Sequence, residues 1–525
     1  SYTITNLAGI TIADGSGGTA SNYTLTGGTH NFTTNQRPLN ATLARQYDGT
    51  SNAAGSDLSS FDALQGGETL TLSGSGSAVN DNVANGISVS SLGTLALVNG
   101  TGLASNYSLN SAAINITQRV LNSSGSKTYD ANTNALAADI TLSNLVSGET
   151  LNHSGTASIS SANAASYTIT NLAGITLADN AGLASNYTLT GGTHNFTVNP
   201  KVISLSGSRL YDATTDAVAS DLTTISGLVG SETLNLSGTG SVTNANVASN
   251  KTVTLGTLAL ADNSGLAANY TLSGGTHQLT INQRPLAATV ARQYDGTKTA
   301  AGSDLSSFDA LQGGETLTLS GSGTVGDENV ANGQGITLGT LALVDGTGLA
   351  SNYSLNSASL NITERVLNSS GSKTYDANTN ALAGAITLSN LVSGEALNHS
   401  GTATISSANA GSYTITNLAG ITIADGSGGT ASNYTLTGGT HNFTVNRRVV
   451  GVSGTRLYDA TTNAVASDLS THTNLVGTET LNLSGTGTIA SKNVGSNKTV
   501  SVGTLALADG SNGGLAANYT LSGGT

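Results

Sequence analysis

Apolar and polar residues alternate in short runs along the whole chain. Leu234 and Leu236 alternate with polar neighbours in TLNLSG, Val253 and Leu255 in KTVTLG, and Leu258 and Leu260 in GTLALAD. Tyr270 and Leu272 do so in NYTLSG, and Leu279 and Ile281 in HQLTIN. A period of two puts such side chains on one face of a half-buried strand. Clusters of Gly, Asn, Ser and Asp, such as Asp262-Asn263-Ser264-Gly265, separate the runs at hairpin-like intervals. The pattern predicts an all-β chain. Residues 57–64 and 304–311 alternate less, and a single helical turn fits there.

The runs recur with a fixed period. Tyr-Asp pairs stand at Tyr47-Asp48, Tyr129-Asp130, Tyr211-Asp212, Tyr294-Asp295, Tyr375-Asp376 and Tyr458-Asp459, with spacings of 82, 82, 83, 81 and 83. An Asn-Tyr-Thr/Ser-Leu motif places Tyr23, Tyr107, Tyr187, Tyr270, Tyr353, Tyr434 and Tyr519. A (Gly/Ser)-(Gly/Ser/Thr)-Glu-(Thr/Ala)-Leu motif places Glu68, Glu149, Glu232, Glu315, Glu395 and Glu479. A basic residue precedes each Tyr-Asp by two: Arg45, Lys127, Arg209, Arg292, Lys373 and Arg456. The contexts QYDG, TYDA and LYDA occur twice in that order, so three repeat types cycle every 247 residues, from Tyr47 to Tyr294.

Solenoid repeats usually run about 20–45 residues. A period near 82 is enough for a small domain. The chain therefore divides into residues 1–35, the C-terminal half of a repeat, then 36–117, 118–199, 200–282, 283–363, 364–446 and 447–525. These six are first, second and third type, then first, second and third again. Each should hold six to eight short strands as a small β-sandwich of immunoglobulin-like kind; a β-grasp-like domain is the alternative. Residues 1–35 match the tail of a second-type repeat, and 447–525 lack an HQLTIN-like closing strand. Both features suggest a window from a longer chain, although strand donation between chains would also complete the halves.

No flexible linker separates the repeats. In Leu279-Thr280-Ile281-Asn282-Gln283-Arg284-Pro285-Leu286 one closing strand runs almost directly into the next opening strand. Pro38, Pro200 and Pro285 sit at such junctions, where a fixed φ stiffens the chain. Each junction also carries Arg37, Arg119, Lys201, Arg284, Arg365 or Arg448. A stiff elongated rod is expected, gaining roughly 30 Å per domain if strands lie along its axis.

Composition narrows the function. Charged residues are 9% and the formal charge is −13, with no Cys, Met or Trp. The absence of Cys excludes disulfides, thiolate metal sites and thiol catalysis. The acidic balance argues against nucleic acid as a partner. No apolar run is long enough for a membrane-spanning helix.

Residues multiplied six or seven times fit one structural need per domain better than an active site. No enzyme and no cofactor is expected. Basic residue and tyrosine share a strand face, and the glutamate about 20 residues on is placed to pair with the base as a charge pair over a small core. A Lys–Asn isopeptide crosslink fails because arginine fills four of the six positions. His30, His194, His277 and His441 share one slot and His153 and His399 another, without metal-ligand spacing. Asp14, Asp179, Asp262, Asp345, Asp425 and Asp509, with Asn99 in the same slot, read as polar turns, not calcium loops. There are 22 Asn-x-Ser/Thr sequons, including Asn22, Asn106, Asn186 and Asn269, and most of the excess over chance is one repeated turn motif.

The ordered set Tyr294-Asp295-Gly296-Thr297, Gly314-Glu315-Thr316-Leu317, Glu328-Asn329-Val330, Asn352-Tyr353-Ser354-Leu355 and Leu360-Asn361-Ile362-Thr363 resembles the YDG-type repeat, and its MBG-type sister, of very large bacterial surface proteins. The likeness spans essentially the whole chain, although four of six repeats carry Ala for Gly after Tyr-Asp. It implies a filamentous-haemagglutinin-like adhesin displayed outside a Gram-negative cell. The function it suggests is a stiff stalk for cell-surface or cell–cell attachment and biofilm. The expected partners are neighbouring repeats or identical chains in a fibre, with surface glycans as a further possibility. The alternatives are a multivalent carbohydrate-binding array and a filament subunit joined by donor-strand exchange.

Overall fold

The computed structural model describes residues 1–522, so the last three residues of the 447–525 repeat lie outside the described residues. The chain is all-β, with only short 3-10 turns between strands among the described residues. Two compact units divide it. One comprises 1–207, 216–242 and 252–279; the other comprises 208–215, 243–251 and 280–525.

In the first unit, the repeat at 36–117 shows how the alternation is used. Its opening strand Arg37–Gln46 lies parallel to its closing strand Tyr107–Thr117. Leu58–Phe61 flanks the opening strand and Ala84–Ser91 flanks the closing one, both antiparallel. Two small ribbons complete the repeat: Asn52–Ala54 with Ser75–Ala78, and Leu70–Ser73 with Ala96–Asn99. Leu43, Ile114 and Ile116 from the central pair meet Ala53, Leu72, Ala78 and Ile87 in one core. The eight strands of this repeat match the upper end of the expected number, and the described repeats range from eight to ten. The second repeat pairs Asn122–Thr128 with His194–Asn199 in the same parallel manner.

The second unit repeats the plan. Arg284–Gln293 runs parallel to Tyr353–Thr363, and Asn368–Thr374 parallel to His441–Asn446. Val290, Leu360 and Ile362 fill the core of the fourth repeat. Because first and last strands point the same way, the chain enters a repeat at one end and leaves at the other. The next repeat can then begin without a return connection, which is why the junctions need no linker.

The helical turn expected at 57–64 is corrected. A 3-10 turn, Gly55–Asp57, precedes a strand, Leu58–Phe61, and the fourth repeat has Gly302–Asp304 before Leu305–Phe308. The segment is drawn into the sheet because Ala41 pairs with Phe61 and Ala288 with Phe308. In residues 1–35, Tyr2–Thr3 pairs with Asn31–Phe32, and Tyr2, Tyr23 and Phe32 are exposed.

Candidate functional site: the joint between repeats

Each strand pattern ends in a motif whose side chains are spent on the neighbouring repeat. The Tyr-Asp tyrosine follows directly on the opening strand, and its N–H closes the repeat on the last strand, as in Tyr47 to Thr117 O and Tyr294 to Thr363 O. Its ring then crosses to the next repeat. The Tyr47, Tyr129, Tyr211, Tyr294 and Tyr375 hydroxyls donate to Oε1 of Glu149, Glu232, Glu315, Glu395 and Glu479 at 2.5–2.7 Å. The other carboxylate oxygen accepts from the Asn-Tyr-Thr/Ser tyrosine of the glutamate's own repeat. These donors are Tyr187, Tyr270, Tyr353, Tyr434 and Tyr519, at 2.5–2.6 Å. Glu68 accepts in the same way from Tyr107.

Both tyrosines of a clamp are buried, and their rings meet edge to face with centroids 5.2–5.5 Å apart. Such ring pairs add about 0.5–1.5 kcal/mol beyond their area, and a hydrogen bond to a charged group contributes about 1.5–3 kcal/mol. Burial, with the glutamate hydrogen bond next, pushes the hydroxyls of Tyr129, Tyr187, Tyr270, Tyr353, Tyr434 and Tyr519 up to about 12. Tyr47, Tyr211, Tyr294 and Tyr375 are raised for the same reasons. Tyr458, over which no repeat packs in the described residues, is 59% exposed, against 3% for Tyr375.

A second contact crosses every joint. The asparagine of Asn-Tyr-Thr/Ser is buried, and its Oδ1 accepts from a backbone N–H of the preceding repeat. Asn186 takes Val83, Asn269 Ala164, Asn352 Val247, Asn433 Val330 and Asn518 Ala410. The Nδ2 of each donates to Asn82, Asn163, Asn246, Asn329 or Asn409. With both ends engaged, these five sequon asparagines are closed to modification in the folded chain. A third contact is the junction arginine: Arg119, Arg284, Arg365 and Arg448 donate to the carbonyls of Tyr47, Tyr211, Tyr294 and Tyr375. The apolar core also continues through. Leu121, Leu151 and Tyr187 of the second repeat pack in one cluster with Leu43 and Ile114 of the first.

The expected pairing of basic residue and glutamate is corrected. Arg45, Arg209 and Arg292 instead pair with Asp48, Asp212 and Asp295, three residues on. Lys127, Lys373 and Arg456 pair with Asp130, Asp376 and Asp459 at 2.7–2.8 Å. The same aspartates accept from the backbone N–H two residues later, as Asp48 does from Thr50 and Asp295 from Thr297. The aspartate fixes the turn that aims the tyrosine outward, while the glutamate sits at the far end of its repeat and faces the previous one.

The other candidates are structural in place. His194 Nε2 bonds to Leu189 O and its Nδ1 to Ser123 Oγ, and His441 repeats this with Leu436 and Ser369. Asp179, Asp262, Asp345, Asp425 and Asp509 each accept from a backbone N–H at the start of a 3-10 turn. Among the described residues no group of three or more His, Asp or Glu is placed to hold a metal ion. Nor is any helix there long and apolar enough to cross a membrane.

The asparagine bridge was missed by sequence reasoning. Its signal was present: the Asn of Asn-Tyr-Thr/Ser and the Asn of Asn-Val/Asn-Ala at 82, 163, 246, 329 and 409 recur with the same period. They are 104–109 residues apart, and no local pattern links them.

Six tandem YDG domains match the chain, at residues 35–115, 113–195, 193–278, 276–361, 360–441 and 444–525. The protein belongs to the YDG domain family, as a tandem array of six all-β repeats. No curated protein matches the chain. Among solved structures, the crystal structure of Drosophila N-cadherin EC1-4 is similar at 7% identity, with 78% of this chain and 99% of that one covered. Its TM-score is 0.12.

Proposed function

We propose that this chain is the structural repeat region of a bacterial extracellular adhesin or fibre, a stiff stalk that holds a cell at a surface or against another cell. The observation that supports it is the joint. Five times over, two tyrosines from adjacent repeats clamp one glutamate and a buried asparagine bridges the backbones, and at three of these joints an apolar cluster runs on across the boundary. Flexible Gly/Ser linkers would let the repeats swing; these joints restrain them at every step. A carbohydrate-binding array would need exposed aromatic platforms, yet the joint tyrosines are buried. Display outside a Gram-negative cell, with identical chains or surface glycans as partners, belongs to the same proposal and is supported by the family likeness.

Small-angle X-ray scattering of the chain tests the stalk. A stalk of six repeats gives a maximum dimension of about 180 Å. A radius of gyration near about 24 Å, that of a globule of this length, would overturn it. Binding of every repeat on a glycan array would promote the carbohydrate reading instead.

A further inference from the structure

The residue after each Tyr-Asp comes in two kinds. It is Gly49 and Gly296 in first-type repeats and Ala131, Ala213, Ala377 and Ala460 in the others. All six hold a left-handed backbone, with φ between 62° and 74°. That conformation is free for glycine and strained for alanine. An alanine kept there, four times, calls for a reason in what surrounds it.

The surroundings lie across the joint. A Cβ on Gly49 would stand 2.7 Å from Val146 Cγ1 of the next repeat, and one on Gly296 would stand 2.9 Å from Val392 Cγ1. The third-to-first joint reverses this. There the methyl of Ala213 faces Gly313 of the next repeat, where an added Cβ would stand 3.0 Å from it. One joint sets a bare glycine against a valine methyl; the other sets an alanine methyl against a bare glycine.

The sequence carries the same pairing through all five joints. Gly49 and Gly296 are followed by repeats with Ser147 and Ser393 two residues before the clamp glutamate, and Val146 and Val392 three before. Ala131, Ala213 and Ala377 are followed by repeats with Gly230, Gly313 and Gly477 two before it; Val229 and Val476 also stand three before it in the third-type repeats and Gln312 in the first-type one, so the contrast that holds at every joint is serine against glycine two before the glutamate. These three receiving glycines are themselves left-handed, with φ of 53–59°. Around Gly230 and Gly477 an added Cβ would meet nothing within 4 Å, so the fit is looser at the second-to-third joints.

We propose that the residue after Tyr-Asp sorts the repeats that can dock next, glycine admitting those with serine, and alanine those with glycine, two before the clamp glutamate. A first-type end, with glycine, admits the valine of a second-type repeat. A third-type end, with alanine, would drive its methyl into that valine and instead takes the bare glycine of a first-type repeat. The tyrosine clamp and asparagine bridge are common to all joints and supply the attachment, whereas this position supplies the choice. It accounts for the Ala-for-Gly departures from the YDG motif, and for second-type repeats following only first-type ends. The partner surface is thus another repeat of defined type.

Amide hydrogen exchange on the full chain tests the assignment. The Val330 and Val247 N–H groups bond across the first-to-second and third-to-first joints, to Asn433 and Asn352, and report whether each is shut. Gly296→Ala should speed exchange at Val330 about tenfold, with the strand Arg284–Gln293 still protected, and Gly296→Ala with Val392→Ala should return it most of the way. Gly313→Ala should open the other joint, and Ala213→Gly should rescue it. If the double variants exchange no more slowly than the singles, backbone strain alone explains the effect and the proposal fails. Ala213→Gly by itself relaxes the backbone and so covers the case in which Gly296→Ala does not fold. Selection expects it to speed exchange at Val247 about threefold, from a lost methyl contact, and unchanged or slower exchange would overturn the idea.

Discussion

Leu43 and Ile114 inside the first repeat are sealed from water among other apolar side chains, whereas at its joint the buried Tyr47 and Asn186 and the half-buried Glu149 engage their side-chain polar groups in hydrogen bonds with named partners. Interior burial is non-directional and scales with area, so many apolar residues would serve. Joint burial is directional, because an unpartnered polar group there costs about 1–3 kcal/mol. The interior makes a repeat fold; the joint makes two repeats fit in one way. It also brings together the Tyr-Asp tyrosine, the Asn-Tyr-Thr/Ser pair and the recurrent glutamate.

Five perturbations would separate the two regions. The largest effect is expected from the interior: Leu360→Ala should destabilise the fourth repeat by about 2–5 kcal/mol and lower its calorimetric transition, since it removes a fully buried side chain. An equal loss in every repeat would deny that the repeats have separate interiors. At the joint, Glu395→Gln should cost about 2 kcal/mol, as two hydrogen bonds lose their charged acceptor. Hydrogen exchange should place that loss at the fourth-to-fifth joint, with the strands of both repeats still protected.

Asn433→Ala should cost about 1–3 kcal/mol, because it leaves the Val330 N–H without its acceptor. A double variant with Glu395→Gln should be non-additive if the two contacts open together. Alkali offers a chemical route. Tyrosines held near 12 when folded, against about 10 when free, bind their protons more tightly in the native chain. Their contribution is whole below about pH 10 and is lost as pH rises from 10 to 12. Absorbance near 295 nm, which follows tyrosinate, should therefore rise together with the loss of structure. The smallest effect belongs to Asp295→Asn. Its pair with Arg292 is partly exposed, so about 0–1 kcal/mol is expected in the same melting experiment.

Much of this molecule is legible in its sequence. The period-two runs, the turn clusters and the near-82 spacing gave the all-β class and the division into six repeats, because a strand's alternation is a local property. The motif tyrosines read from the sequence as structural, and those of the clamps are buried. The partner of the glutamate was not seen, because both carboxylate oxygens are claimed by tyrosines and one of these comes from the previous repeat, 101–104 residues earlier. Sequence proximity pointed to the basic residue, which is nearer along the chain and opposite in charge. The turn at Asp48 and its counterparts had already taken that residue.

Local chemistry therefore settled the strands, their exposed and buried faces, the turns and the repeat count. Each depends on residues within a few positions of one another. The parallel pairing of first and last strands, the tyrosine–glutamate–tyrosine clamp, the asparagine bridge and the fit of Gly or Ala against the next repeat were settled by packing across distance. Each arises only when a folded repeat presents its end to the next, and a one-dimensional pattern of alternation carries no information about which ends meet.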